Sequence, residues 1–348
     1  MRSRAFLAPA GIAVLAFVVE RIAATTQTQF YLTQLTMSAY YTLAALGLAL
    51  LMGHAGQISL GHAGFFAVGG YTSAVLLTRD LSPYAQSAAV QLLARLHALY
   101  ERPDAFGGPM LCVRPWPALL FALCLTGVVG VVIGVPVLRL RGHYLAMATL
   151  GAGAIVQQLL LGTRLLGEAD GISDVPPLPL LAGIEVGGGR TLRVANYYVA
   201  WGLLLLTLLA FASLRRSRFG RALSAIHGNE EAAAAMAVDT AQAKLKAFVL
   251  SAVLAGLAGA LLTHYTGGIG PSEAGVTKSV RYVAIVAVGG MSRFASVTLA
   301  SVALSFLSLR GYFGTYDDAV FGLILVVAML GAPQGFNVRA ILRAWRRP

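Results

Sequence analysis

Lysine is nearly absent from this chain, which has only Lys244, Lys246 and Lys278, and acidic residues number 14. Charged residues of every kind make up 11% of 348, against 57% hydrophobic. A soluble domain of this length could not cover its surface with so little charge. Cysteine is equally scarce. Cys112 and Cys124 form no CxxC pair and have no histidine at ligand spacing, so no metal site is suggested. Cys124 lies in an apolar run, which argues against a structural disulfide. Neither GxxxxGKS nor GxxxxGKT occurs, so the chain cannot cradle ATP itself. No Ser/His/Asp or paired-carboxylate constellation stands in a plausible context, so nothing marks an enzyme and no cofactor is implied.

What is present is hydrophobic length. Mean hydropathy is +0.74, and apolar runs recur along the whole sequence at the roughly 20-residue length that crosses a bilayer. The expected fold is all-α, a single polytopic membrane domain over residues 1–348 with about ten transmembrane helices, some short or broken. A basic start leads into an apolar body at 5–19, read as an uncleaved first span because Glu20, Arg21 and Ile22 make a poor cleavage site. Further spans are expected at 30–52, 53–77, 116–138, 144–161, 197–214 and 248–266. The run 280–309 is too long for one span and breaks at Gly289-Gly290-Met291-Ser292-Arg293 into two segments, and a short last span covers 319–330. Loops at 79–115 and 162–196 lie on one side. The first has apolar residues at helical spacing between Tyr84 and Arg102 and predicts an interfacial helix.

Ten crossings place both termini on one side, with the loops at 53–57, 139–143, 215–246 and 293. That side carries most of the arginines and only three acids, Glu230, Glu231 and Asp239, so the whole net charge of +12 falls on it. The positive-inside rule makes it cytoplasmic, N-in and C-in. The charge therefore needs no nucleic acid to explain it. Few acids fall within the spans: Glu20 and Asp318 sit at edges and no carboxylate is expected mid-membrane. This counts against a proton-driven carrier.

One stretch, GHAGQISLGHAGFFAVGGYTSAV at 53–75, is unsuited to face lipid. It holds Gly53, Gly56, Gly61, Gly64, Gly69 and Gly70 with two histidines and a glutamine. Each glycine costs about 1 kcal/mol in a helix interior relative to alanine. Close helix approach or an interrupted helix lining a cavity would justify them. Gly56, Gln57, Ser59, Gly61 and His62 are thus candidates for a polar translocation path, or else packing residues whose polar groups are satisfied internally. His54 is expected near the cytoplasmic surface and solvated; Tyr144, Thr149 and Gly151 are read as packing, and Gly289 and Gly290 as the helix break. In the charged loop, Asn229 is a good N-cap with Glu230 and Glu231 in the first turn. It should open a helix of two to three turns before Asp239-Thr240 offers a second cap. That helix is either a docking knob or part of a solvated loop.

Three segments together, GQISLGHAGFFAVGGYTSAVL, RLRGHYLAMATLG and SRFGRALSAIHGNEEAAAAMAVDTAQAKLKAFVLSAVLAGLAGAL, resemble the permease subunits of branched-chain amino acid ABC transporters. The later GGMSRF and GLILVVAMLGAPQG fit the same pattern, so the likeness runs from about Tyr40 to Gly335. It implies a multi-pass protein of the bacterial inner membrane. A second permease subunit, commonly a paralogue, would pair with it, and two ATP-binding subunits and a periplasmic solute-binding protein would complete the importer. Relatives of this kind carry branched-chain or other amino acids, amides, urea or small organic acids. On that resemblance Asn229, Glu230, Glu231, Ala232 and Met236 belong to the helix that couples to the ATPase, buttressed by Arg218, Phe219, Gly220 and Arg221. The chain departs from the pattern at Ala237 and Ser292, where glycine is usual, and in the length of 79–115. A stand-alone secondary carrier or channel for a small polar solute is the alternative.

Overall fold

In a computed structural model the described residues are 4–103, 108–180 and 183–331. Most of the described residues are helical. From the N-terminus run α1 (Arg4–Thr25), α2 (Tyr31–Leu50), α3 (His62–Thr78), α4 (Ala88–Arg95), α5 (Pro115–Val137), α6 (His143–Gly162) and α7 (Arg193–Leu214). Then follow α8 (Arg218–Gly228), α9 (Glu230–Ala235), α10 (Thr240–Thr266), α11 (Val276–Gly289), α12 (Phe294–Leu309) and α13 (Asp317–Gly331). Ten of these are the apolar helices expected as crossings, leaving α4, α8 and α9 in the connections. Among the described residues, five helical stretches have the length and hydropathy of a full span: 31–55, 115–137, 143–162, 193–214 and 240–266. The others are shorter. At about 1.5 Å per residue, the 14 residues of α11 reach about 21 Å, well under the ~30 Å hydrocarbon core. The basic tail at 339–347 lies outside the described residues.

Small residues decide the centre of the bundle. α3 packs against α10 through glycine on glycine: a Cβ on Gly69 would run into the carbonyl of Gly256, and one on Gly259 into that of Phe66. Gly256 in turn meets the Thr126 side chain of α5. Between membrane helices there is little hydrophobic driving force, so close backbone contact of this kind supplies much of the association. α2 lies beside α10 and is buried almost throughout from Thr36 to Leu50. α6 stands apart, with only Leu145, Thr149, Gly153 and Leu160 buried along its length.

Three boundaries differ from expectation. The helix placed between Tyr84 and Arg102 is only α4, capped by Ser87 Oγ accepting from Val90 N. His97 takes a left-handed φ of 52°, which ends it. Strand β1 (Leu99–Pro103) follows and pairs antiparallel with β2 (Pro109–Val113). The span expected at 53–77 starts as a helix only at His62, because Gly56 turns left-handed at φ 65°. The span expected at 248 begins at Thr240, where Asp239 caps it by accepting from Gln242 N. In the connection at 162–196, β3 (Ile172–Ser173) pairs with β6 (Gly268–Ile269) and β4 (Leu178–Pro179) with β5 (Glu185–Val186). Ile172, Val175, Leu178 and Val186 are buried there.

Candidate functional site

The glycine-rich stretch folds as a break between two helices. α2 ends in a π-helical turn, Leu51–Ala55, closed by Gly56, whose N–H donates to Leu51 O. Residues 57–61 are not helical, and α3 then leads away. Of the five path candidates, Gly56 is exposed. Gln57 is buried with neither amide atom hydrogen-bonded among the described residues. His62 is buried completely and bridges its surroundings: Nδ1 lies 3.2 Å from Ser59 Oγ and Nε2 lies 2.6 Å from Ser251 Oγ of α10. Gly61 fits against the backbone of Thr149, where any Cβ would collide with the carbonyl oxygen. Thr149 also accepts from Leu60 N at 2.9 Å. The break is thus braced by His62, Ser59, Gly61 and Thr149, while Gln57 and His54 Nδ1 are left without hydrogen-bond partners among the described residues.

Three neighbouring expectations are corrected or narrowed. His54 is buried, not solvated, because its ring stacks on Phe294 of α12 at 4.6 Å, and Phe294 packs on Phe211 of α7 at 4.8 Å. Tyr144 is exposed on α6, and a Cβ built on Gly151 would meet no atom within 4 Å, so of the three residues read as packing Thr149 is the buried one.

The charged loop is two helices rather than one. α8 is capped by Ser217, whose Oγ accepts from Gly220 N at 3.1 Å, and buries Gly220, Leu223 and Ile226. Gly220 is required, since a Cβ would strike the Leu214 carbonyl. Phe219 is half-buried and packs on the core, while Arg218 and Arg221 are exposed and Arg221 donates to Arg216 O at 2.7 Å. α9 is shorter than the two to three turns expected. Asn229 caps it, Oδ1 accepting from Ala232 N at 3.0 Å, and at its other end Ala237 adopts φ 59°. Glu230 pairs with Lys244 of α10, and Glu231 lies 3.5 Å from Arg141 in the α5–α6 turn. Ala232 faces solvent, and Met236 stands out at 80% exposure.

These two sites touch. A Cβ on Gly56 would lie 3.0 Å from Nδ1 of His227 in α8, and one on Gly53 would collide with Met291 and Ser292 in the α11–α12 turn. That turn breaks as expected, Gly290 at φ 80° and Gly289 pressed on Val297. Surface loop, glycine-rich break and second helix break are therefore one packed unit.

Sequence reasoning missed one group. Glu273, in a 3-10 turn at Pro271–Ala274, accepts from Lys278 Nζ at 2.9 Å and from Tyr41 OH at 3.1 Å. Tyr41 is the eleventh residue of α2, so the carboxylate meets that helix about 15 Å from its N-terminal end. PSEAG is a short polar segment in the sequence, and nothing local in it marks its depth.

The family described as branched-chain amino acid transport system / permease component matches residues 30–329. The high-affinity branched-chain amino acid transport system permease protein LivM of Salmonella typhimurium is 33% identical over 321 residues, covering 86% of this chain and 68% of its own. LivM of Escherichia coli K12 is 32% identical over the same shares. LivH of Escherichia coli K12 is 22% identical over 305 residues, covering 86% and 92%. No solved structure matches the chain.

Proposed function

The chain belongs to the permease family of branched-chain amino acid transport systems, and from that premise we propose how it works. It is a multi-pass membrane protein and a permease subunit of an ABC importer. It forms half of a translocation path for branched-chain amino acids, the other half coming from a second permease related to LivH. Two ATP-binding subunits dock on the basic face and a periplasmic solute-binding protein on the outer loops of a bacterial inner membrane. The chain does no chemistry of its own; energy arrives through α9.

The observation that carries this reading is the packing of α8 on the glycine-rich break at Gly56. Asn229, Glu230, Glu231, Ala232 and Met236 form the surface that a partner ATPase seats on, and Arg218, Phe219, Gly220 and Arg221 hold α8 beneath it. A push on α9 reaches Gly56 through His227. In the path, Gly56 and Gln57 face the moving solute, while Ser59, Gly61 and His62 keep the break in shape. Gly289 and Gly290 let the second break follow. A two-state movement of packed elements fits such coupling better than bending, because close-packed contacts deform little.

Affinity purification from the native membrane tests the assembly. An ATP-hydrolysing subunit and a second permease should co-purify, and the reconstituted complex should accumulate leucine only with ATP and the binding protein present. Accumulation by the chain alone, driven by an ion gradient, would instead establish a secondary carrier.

A further inference from the structure

We infer that Glu273 and Lys278, with Tyr41, Tyr71 and Tyr282 around them, form a station that holds the two charged ends of a zwitterionic solute inside the permease. The inference rests on the transport reading above and assigns to it a solute-binding site.

Depth is the first argument. The 3-10 turn at Pro271–Ala274 packs against α3, α6 and α11, and its carboxylate meets Tyr41, ten residues into α2 from Tyr31, or about 15 Å along the helix. α11, which carries Lys278, is too short to span. Ionisable side chains at such depth are rare and are costly unless they serve a pathway.

Incomplete pairing is the second. Lys278 Nζ contacts Glu273 Oε1 at 2.9 Å and Tyr41 OH at 3.4 Å, and lies 4.8 Å from the Tyr41 ring centroid. All of that satisfies one carboxylate oxygen. Glu273 Oε2 has no hydrogen-bond partner among the described residues, and neither do the hydroxyls of Tyr71 and Tyr282. Both tyrosines are 2% exposed and within electrostatic reach of Glu273. A pair that served only to brace the turn would not leave an acceptor and two phenols unmatched, since unmade buried hydrogen bonds are expensive. The pair reaches the surface at its edge: the Glu273 and Lys278 side chains are 17% and 22% exposed, with Oε2 itself buried behind them.

The chemistry matches a free amino acid. Its ammonium donates to Glu273 Oε2, and its carboxylate accepts from Lys278 and from a tyrosine hydroxyl. A zwitterion adds no net charge to the site, so no uncompensated charge is buried during passage. Gln157 of α6 lies beside the turn, its Nε2 within 3.8 Å of a Cβ built on Gly275, and offers a further donor from the helix that stands apart.

The test uses the whole complex (both permeases, the ATPases and the binding protein) in proteoliposomes, with leucine as the probe. Glu273→Gln and Lys278→Met should each lower ATP-driven uptake at least tenfold while hydrolysis stimulated by the loaded binding protein stays within twofold. The reversed pair, Glu273→Lys with Lys278→Glu, should not recover uptake. Wild-type uptake in either single variant overturns the proposal. So does full recovery by the reversed pair, which would make the residues a brace. Failure of the wild-type complex to import leucine defeats the transport reading itself, and is seen before any variant is made.

Discussion

Gly56 lies directly under the imidazole of His227: a Cβ there would stand 3.0 Å from Nδ1. Gly56 also holds φ at 65°, a region that costs an L-residue roughly 1–2 kcal/mol. Gly56→Ala therefore strains the break and crowds α8 at once. Uptake should fall about tenfold with ATPase docking preserved, and His227→Ala should recover part of it. Paired uptake and co-purification assays on the two singles and the double decide this.

Glycines of α3 and α10 should divide sharply from those facing outward. Gly69→Ala and Gly259→Ala force a Cβ into opposing backbone, and each should cost at least the 1–3 kcal/mol typical of overpacking. Gly202→Ala in α7 meets nothing within 4 Å and gains helix propensity of about 1 kcal/mol. Thermal unfolding in detergent should show the first two melting well below wild type and the third at or above it.

Ala237 occupies a left-handed position, φ 59°, at the end of α9. Ala237→Gly should relieve about 1 kcal/mol of strain. Slower amide exchange across residues 230–238 is the expected sign; faster exchange would mean that the alanine was holding the turn.

Reversing charge at Glu230 and Glu231 removes the contacts to Lys244 and Arg141 and puts cations at a helix N-terminus. The Glu231–Arg141 pair is exposed and, like the dipole effect, is worth only about 1 kcal/mol or less, whereas the Glu230–Lys244 pair is half-buried. Glu230→Lys with Glu231→Lys should thus express and insert normally yet lose its ATPase. Retention of that subunit through purification, with normal uptake, would remove α9 from the coupling route.

In the connection at 79–115, Asp80 accepts from the Ser82 hydroxyl and from the backbone N–H groups of Ser82 and Leu111. The Ser82 hydroxyl contributes most to holding its carboxyl below the ordinary 3.8. A depressed carboxyl stabilises the fold above its unfolded value, and that contribution is lost as pH falls through the lower folded one. The link from the end of α3 to β2 should therefore hold at pH 5 and open only in stronger acid. Asp80→Asn should show the opened exchange pattern at both pH values.

Much of this was legible because the governing signals are local. The caps at Asn229 and Asp239 need only a side-chain oxygen two or three residues before an N–H, and both stand as expected. The helix break at Gly289-Gly290 follows from glycine's freedom at positive φ. The error over 84–102 has a plain cause as well. Leu96, Leu99 and their neighbours keep a helical spacing, but pairing with residues 109–113 satisfies the backbone better once His97 has turned the chain.

The amino-acid sequence by itself determined that this chain lives in a membrane, roughly where it crosses, which face is basic and where its helices are capped. Each of those depends on residues within one turn or one span of each other. Only the tertiary structure decided that His54 is buried against Phe294, that Gly56 touches His227, and that Glu273 sits against Tyr41. Those pairs are separated by 170 to 240 residues, and their meeting depends on helices packing closely enough, at Gly69 and Gly256, for distant segments to share one interior.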